Sequence, residues 1–320
     1  MSEAEVLRAI FSVAFLASVL RVTTPILLPA LGGLISELAG VINIALEGIM
    51  LTAAFVGVVV SAYTQSPWLG LAAALLASAL LALGLAFFHL ELKADLILSG
   101  LALNLLASGG TVFALYSLTG DKGTSAALAS RAMPALNLPF LEGVPILGPI
   151  LNQHNVMVYI AFLMVGVIGL LLYRTRWGIH VRAVGANPEV AASVGLNVRA
   201  LRYQALVLSG VLAGLGGVYM SMGYLQLFQR DMIAGRGFIA LAAVFMGGRR
   251  PLGTMLAALL FGAADALANQ LGALQIPPQW VQMIPYTATV SALAIYALSQ
   301  QRVTTRHRPL MFPRTQTRKR

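Results

Sequence analysis

Two carboxylates stand in apolar surroundings where they could do chemistry. Glu47 lies within Val41-Ile-Asn-Ile-Ala-Leu-Glu-Gly48, and Asp265 within the apolar run from residue 252 to about 271. An ionisable side chain at membrane depth is costly, so each is a candidate for handling a solute or a coupling ion. Glu47 has an equally good structural use at a helix end, where it would stabilise an N-terminus or pair with an arginine. Asn104 is the strongly polar group of its own apolar run, and such a group more often bridges helices than touches a solute. Phe238 and Asn269 join these residues as candidates for lining a path.

Other chemistries lack their residues. The lysines, Lys93, Lys122 and Lys319, complete no Gly-x-x-x-x-Gly-Lys-Ser/Thr phosphate loop. The histidines, His89, His154, His180 and His307, are scattered, with no His-Glu-x-x-His or His/carboxylate cluster at metal spacing. There is no Gly-x-Ser-x-Gly elbow, and cysteine is absent, which removes disulfides, thiolate catalysis and sulfur-ligated metal. An intramembrane enzyme is therefore disfavoured, and no cofactor or metal is expected on this chain. A pathway or a scaffold remains.

One stretch carries a helix signal inside a basic loop. In Gly185-Ala-Asn-Pro-Glu-Val-Ala-Ala-Ser-Val-Gly195, Asn187 suits the N-cap and Pro188 the first helical position. Glu189 meets the positive end of the dipole, and Gly195 supplies a left-handed stop. The resulting helix of about two turns is too short to persist alone and needs a surface. Ala191, Ala192 and Ser193 would let a groove on another protein hold it closely, with Val190 and Val194 four apart on one face. Packing on its own bundle is the competing use. Arg174, Arg176, Arg182, Arg199 and Arg202 flank it, which marks residues 174–202 as a cytoplasmic loop.

The elements that position these groups follow from composition. Hydrophobic residues make up 58% of the chain and charged residues 10%, against roughly 45–50% and 25% in soluble domains. The class is all-α, a polytopic helical membrane protein. Apolar runs able to cross a ~30 Å hydrocarbon core cover residues 67–88, 96–120, 156–173 and 203–229, and no cleavable signal peptide is evident. Residues 6–63 contain Pro25, Pro29, Gly32, Gly33 and Gly40, which predicts a discontinuous helix. Charges cancel in 120–153, which belongs outside. Spans at 252–271 and 281–299 then lead to a basic tail at 302–320, placing the C-terminus in the cytoplasm. The count is about nine spans, with eight to ten allowed, in a transmembrane domain over 1–301. The net charge of +10 is concentrated in the 174–202 loop and this tail, a pattern of membrane orientation and not of nucleic-acid binding. Pro67-Trp-Leu-Gly70 and Pro251-Leu-Gly253 each open an apolar run on opposite sides, as an inverted repeat would require.

Three stretches together carry a family resemblance: Gly40-Val-Ile-Asn-Ile-Ala-Leu-Glu-Gly-Ile-Met-Leu51, Arg182-Ala-Val-Gly-Ala-Asn-Pro-Glu-Val-Ala-Ala-Ser-Val-Gly-Leu-Asn197 and Gly237-Phe-Ile-Ala-Leu-Ala-Ala-Val-Phe-Met-Gly-Gly-Arg-Arg-Pro-Leu-Gly253. From about residue 15 to 300 the chain resembles inner-membrane permease subunits of bacterial ABC importers, in the group that includes ribose, branched-chain amino-acid and nucleoside permeases. It looks most like the shorter permease of nucleoside or simple-sugar systems. The resemblance implies that Asn187, Pro188, Glu189, Ala191, Ala192 and Gly195 couple to a separate ATPase, which would hold ATP and Mg. It also implies a second, different permease and an extracytoplasmic solute-binding lipoprotein, and by motif it adds Asn43 to Glu47 on the path. An ion-coupled secondary transporter of a small polar solute is the alternative.

Overall fold

The computed structural model describes residues 12–137, 139, 147–271 and 287. Apart from residue 287, the expected span 281–299 lies outside these residues, as do the turn before it, the basic tail and the extreme N-terminus.

The bundle is built around its first helix, α1 (Val13–Leu38), which buries an unbroken series from Val22 to Ser36. A helix apolar on every face has to be enclosed by others. Of the residues that predict a discontinuous helix, the prolines break nothing, and α1 runs through Pro25 and Pro29. Pro25 has no N–H for the Arg21 carbonyl, but the Tyr219 hydroxyl donates to that oxygen at 3.0 Å. A partner 198 residues away in sequence thus repairs the ladder, as a proline inside a spanning helix requires. The interruption falls later, in residues 39–45, where Gly40 takes φ 75° and the chain turns back toward α2 (Leu46–Thr64).

Next come α3 (Pro67–Leu90) and α4 (Leu96–Thr119), capped by the side chains of Ser66 and Asp95. The connection that follows holds a two-residue antiparallel pairing of β1 (Ala135–Leu136) with β2 (His154–Asn155) and the short α5 (Leu147–Leu151). Then α6 (Val156–Arg174), α7 (Arg176–Ala186) and α8 (Pro188–Ser193) lead into α9 (Val198–Val218). A π-helical turn, Tyr219–Tyr224, extends α9 and carries Tyr219 toward Arg21. Finally α10 (Arg236–Met246) and α11 (Pro251–Leu271) pack beside α1.

Among the described residues seven helices are long and apolar enough to cross a membrane: α1, α2, α3, α4, α6, α9 with its π turn, and α11. The short helix α10 has 11 residues, roughly 16 Å, about half a crossing.

Contacts sort the ends of the helices. The Glu37 carboxylate near the end of α1 pairs with Arg249 at 2.8 Å, and Glu91 after α3 pairs with Arg199, so the turn after α10, the α3–α4 turn and the region of α7 and α8 share one end. At the other end the 120–153 connection is fastened to the 225–235 segment. There Ser125 N–H donates to the Phe228 carbonyl and Arg230 N–H to that of Gly123, both at 2.8 Å. The α2–α3 turn lies at this second end, since Arg131 donates to Gln65 at 2.9 Å. The α10–α11 turn lies at the first. The two Pro-opened hairpins therefore point in opposite directions. In each, a glycine presses on the preceding helix: a Cβ on Gly70 would come within 2.6 Å of the Gly57 carbonyl, and one on Gly253 would strike that of Gly247.

Candidate functional site

Two constructions occupy the places that the residue types single out: a short exposed helix at one end, and a half-length helix whose start is buried in the bundle.

The exposed helix is α8. The Asn187 side chain accepts from the Glu189 and Val190 amides at 3.1 Å, Pro188 opens the helix, and Gly195 closes it at φ 84°. Every terminal signal in this stretch is local, so neighbouring residues fix where it starts and stops. Its two faces divide sharply. Ala191 is 4% exposed and belongs to the core, whereas Val190 and Val194 are 58% and 71% exposed, with Glu189 and Ala192 beside them. Ala191 therefore seats α8 on its own bundle, and the valines form the free face. The seat is firm, because Arg199, just past α8, pairs with Glu91, and Tyr203 donates to the same carboxylate at 2.9 Å.

The buried construction centres on Glu47, at the start of α2. Its carboxylate accepts from the Gly235 and Gly237 amides, both at 2.7 Å, and so caps the N-terminus of α10. A carboxylate there meets free N–H donors and the positive end of the helix dipole together. Because α10 ends at the turn shared with Glu37, its capped start lies about halfway through the bundle. Gly237 is required at this point, since a Cβ would sit 2.6 Å from the Glu47 amide nitrogen.

Asn104 of α4 braces the same region. Its side chain accepts from Gly48 N–H at 2.7 Å and donates to the Ile44 carbonyl at 3.0 Å, gripping the chain on both sides of Glu47. This is the bridging use. Asn43 is fully buried, donating to the Ser209 hydroxyl at 3.0 Å and accepting from Ala45 N–H at 3.1 Å. Those bonds hold residues 39–45 against α9. Phe238, next to the capped amides, is 45% exposed. Asn269 stands apart, exposed beside Ala14 and Ser18 at the start of α1. The structure thus gathers Asn43, Glu47, Asn104 and Phe238 around the α2 and α10 starts, and separates Asn269 from them.

Three polar residues beside this cap carry no sequence motif. Asp231 lies in the left-handed stretch that leads into α10, with φ 53°, and accepts from the Ser108 hydroxyl at 3.1 Å. Arg236 pairs with Asp265 at 2.9 Å, the two side chains 17% and 16% exposed. Asp265 is thereby neutralised by a neighbour. The signal available beforehand was Gly235-Arg236-Gly237, a charge between two glycines at the edge of an apolar run. No group of three or more His, Asp or Glu able to hold a metal occurs among the described residues.

Outside the spans, His154 is buried with Nε2 2.7 Å from the Ile150 carbonyl. Burial holds its pKa below the ordinary 6.5, against the opposing pull of that carbonyl.

The family model described as "Branched-chain amino acid transport system / permease component" matches residues 15–293. The nucleoside ABC transporter permease protein NupC of Lactococcus lactis is 35% identical, over 88% of this chain and 91% of its own. The guanosine ABC transporter permease protein NupQ of Bacillus subtilis is 37% identical, over 84% and 87%. Among solved structures, PsaBC from Streptococcus pneumoniae in complex with Fab shares the fold with TM-score 0.51 at 13% identity, covering 93% of this chain and 94% of that one.

Proposed function

The chain belongs to the branched-chain amino acid transport system / permease component family, and on that premise we propose that it forms one half of the path by which an ABC importer moves a nucleoside across the bacterial inner membrane. The observation that carries the substrate class is its 35% and 37% identity, over most of its length, to permeases named for nucleosides and guanosine. A simple sugar is the next candidate, and these relatives lend nothing to an ion-coupled mechanism.

In this reading α8 is the coupling element. Asn187, Pro188 and Gly195 build it, Ala191 seats it, and Glu189, Val190, Ala192 and Val194 face a cleft on a separate ATPase that binds ATP and Mg. The path follows the start of α10, where Glu47 and Asn104 fix the backbone and Phe238 offers an aromatic face on which a base can stack. Asp231 and Ser108 can meet ribose hydroxyls there. Asn43 acts from behind as a brace, and Asn269 serves the far entrance. The basic tail and the α8 end are cytoplasmic, a second and different permease completes the pore, and a binding lipoprotein delivers the solute outside.

Uptake into vesicles carrying this chain with its partner subunits tests the reading. Labelled nucleoside should accumulate only with ATP inside and persist when the proton gradient is collapsed. Uptake driven by a proton gradient without an ATPase would refute it.

A further inference from the structure

A groove of about 920 Å³ opens between α6 and the α10–α11 turn, apart from the Glu47 cap and from α8. Val165, Gly166, Gly169, Leu170 and Tyr173 line one side, recurring at helical spacing so that one face of α6 forms the wall. A Cβ added to Gly166 or Gly169 would meet nothing within 4 Å. Neither glycine is there to let another described helix approach, and together they leave a bare backbone channel. The opposite side is formed by the turn, with Pro251 and Leu252. From Val165 to Tyr173 the channel runs roughly 12 Å along the helix.

Walls of this kind in a membrane-spanning helix stay dry and call for an apolar filling. The mouth is different. Arg250 lines the groove where α11 begins, exposed and with no ion pair among the described residues. The adjacent Arg249 is already committed, to Glu37 at 2.8 Å and over the Phe245 ring. Arg182 lies over the ring of Tyr173, 4.7 Å from its centre, and brings a second positive charge to the same end. An apolar channel that ends at uncompensated guanidinium matches one molecule of the bilayer: a chain that is greasy along its length and anionic at its head.

We propose that this groove binds an anionic phospholipid, with an acyl chain along Gly166 and Gly169 and the headgroup phosphate at Arg250. The chain contains no cysteine and the site lies away from the cap and from α8, so probes can be introduced without touching either. The test places the photo-crosslinking residue benzoylphenylalanine at Leu170 in the full chain expressed with its partner subunits, irradiates native membranes and identifies the adduct by mass. The expected product is a phosphatidylglycerol- or cardiolipin-sized adduct. Arg250→Gln should reduce it about fivefold, the equivalent of about 1 kcal/mol for one basic residue at a membrane surface. Gly169→Leu, which fills the channel, should reduce it as far or further. Adducts found only on protein, whether this chain's own C-terminal part or another subunit, would overturn the proposal. So would lipid adducts that ignore headgroup charge and survive Arg250→Gln.

Discussion

Replacing Glu47 with Gln isolates the role of the capped half-helix. The carboxylate receives one N–H on each oxygen, from Gly235 and Gly237 at 2.7 Å. Glutamine keeps one acceptor and turns an NH₂ toward the other donor, stranding a buried N–H at a cost of about 1–3 kcal/mol. Loss of the negative charge at the helix N-terminus removes about 0.3–1 kcal/mol more. A combined loss of about 1.3–4 kcal/mol should leave the protein in the membrane, because the α1, α9 and α2 packing is untouched. It should instead loosen the start of α10. Hydrogen exchange at the Gly235 and Gly237 amides should accelerate by about 10- to 700-fold, a tenfold change per ~1.4 kcal/mol, while the core amides of α1 keep their protection. Uptake should fall strongly, and Glu47→Asp, which keeps the charge but is one methylene shorter, should fall between. Exchange at those two amides within threefold of the parent, or uptake unaffected, would refute the argument that this carboxylate holds α10 for transport.

Further outcomes follow from other parts of the structure. Val190→Glu with Val194→Glu alters only exposed positions, so melting should stay within about 0.5 kcal/mol while ATPase co-purification and uptake are lost; retained co-purification would exclude α8 as the docking face. Ala191→Glu should lower stability itself, because a charge is driven into the core, and an unchanged melting temperature would show the seat to be misassigned. Tyr219→Phe should cost about 1–3 kcal/mol by stranding the Arg21 carbonyl, whereas in Pro25→Ala the new N–H can serve that carbonyl, so the double variant should recover most of the loss. A fully additive cycle would disprove the repair. His154 is held neutral by burial, so its contribution to stability is present above pH 6.5 and is lost as the pH falls through its lower folded-state value. His154→Gln should flatten that decline in a melting series from pH 7.5 to 5, and an unaltered slope would assign the decline to other groups.

How much of this was legible in the residues depended on how far away the deciding partner lay. The start and stop of α8 could be read, because Asn187, Pro188 and Gly195 act on amides and carbonyls within a few positions. Which side of it faces outward could not, since Ala191 and Val190 differ only in what the folded bundle brings against them. Pro25 gave a local signal for an interruption that Tyr219 offsets from another helix, whereas Gly40 marks where the chain does turn. Glu47 was identifiable from its setting, and its use as a cap matched the structural alternative, yet its donors belong to a segment almost two hundred residues later. Asp231 and Arg236 were overlooked because they border an apolar run, and only the folded chain lowers that border to the middle of the bundle.

Gly185 lies in the last turn of α7, just before α8, and a Cβ on it would collide with the carbonyl of Leu38, the last residue of α1. Main chain therefore rests on main chain, with no side chain between to bend or swing. A displacement imposed on α8 from outside reaches the enclosed central helix without slack, and every residue larger than glycine at 185 would insert play into that joint.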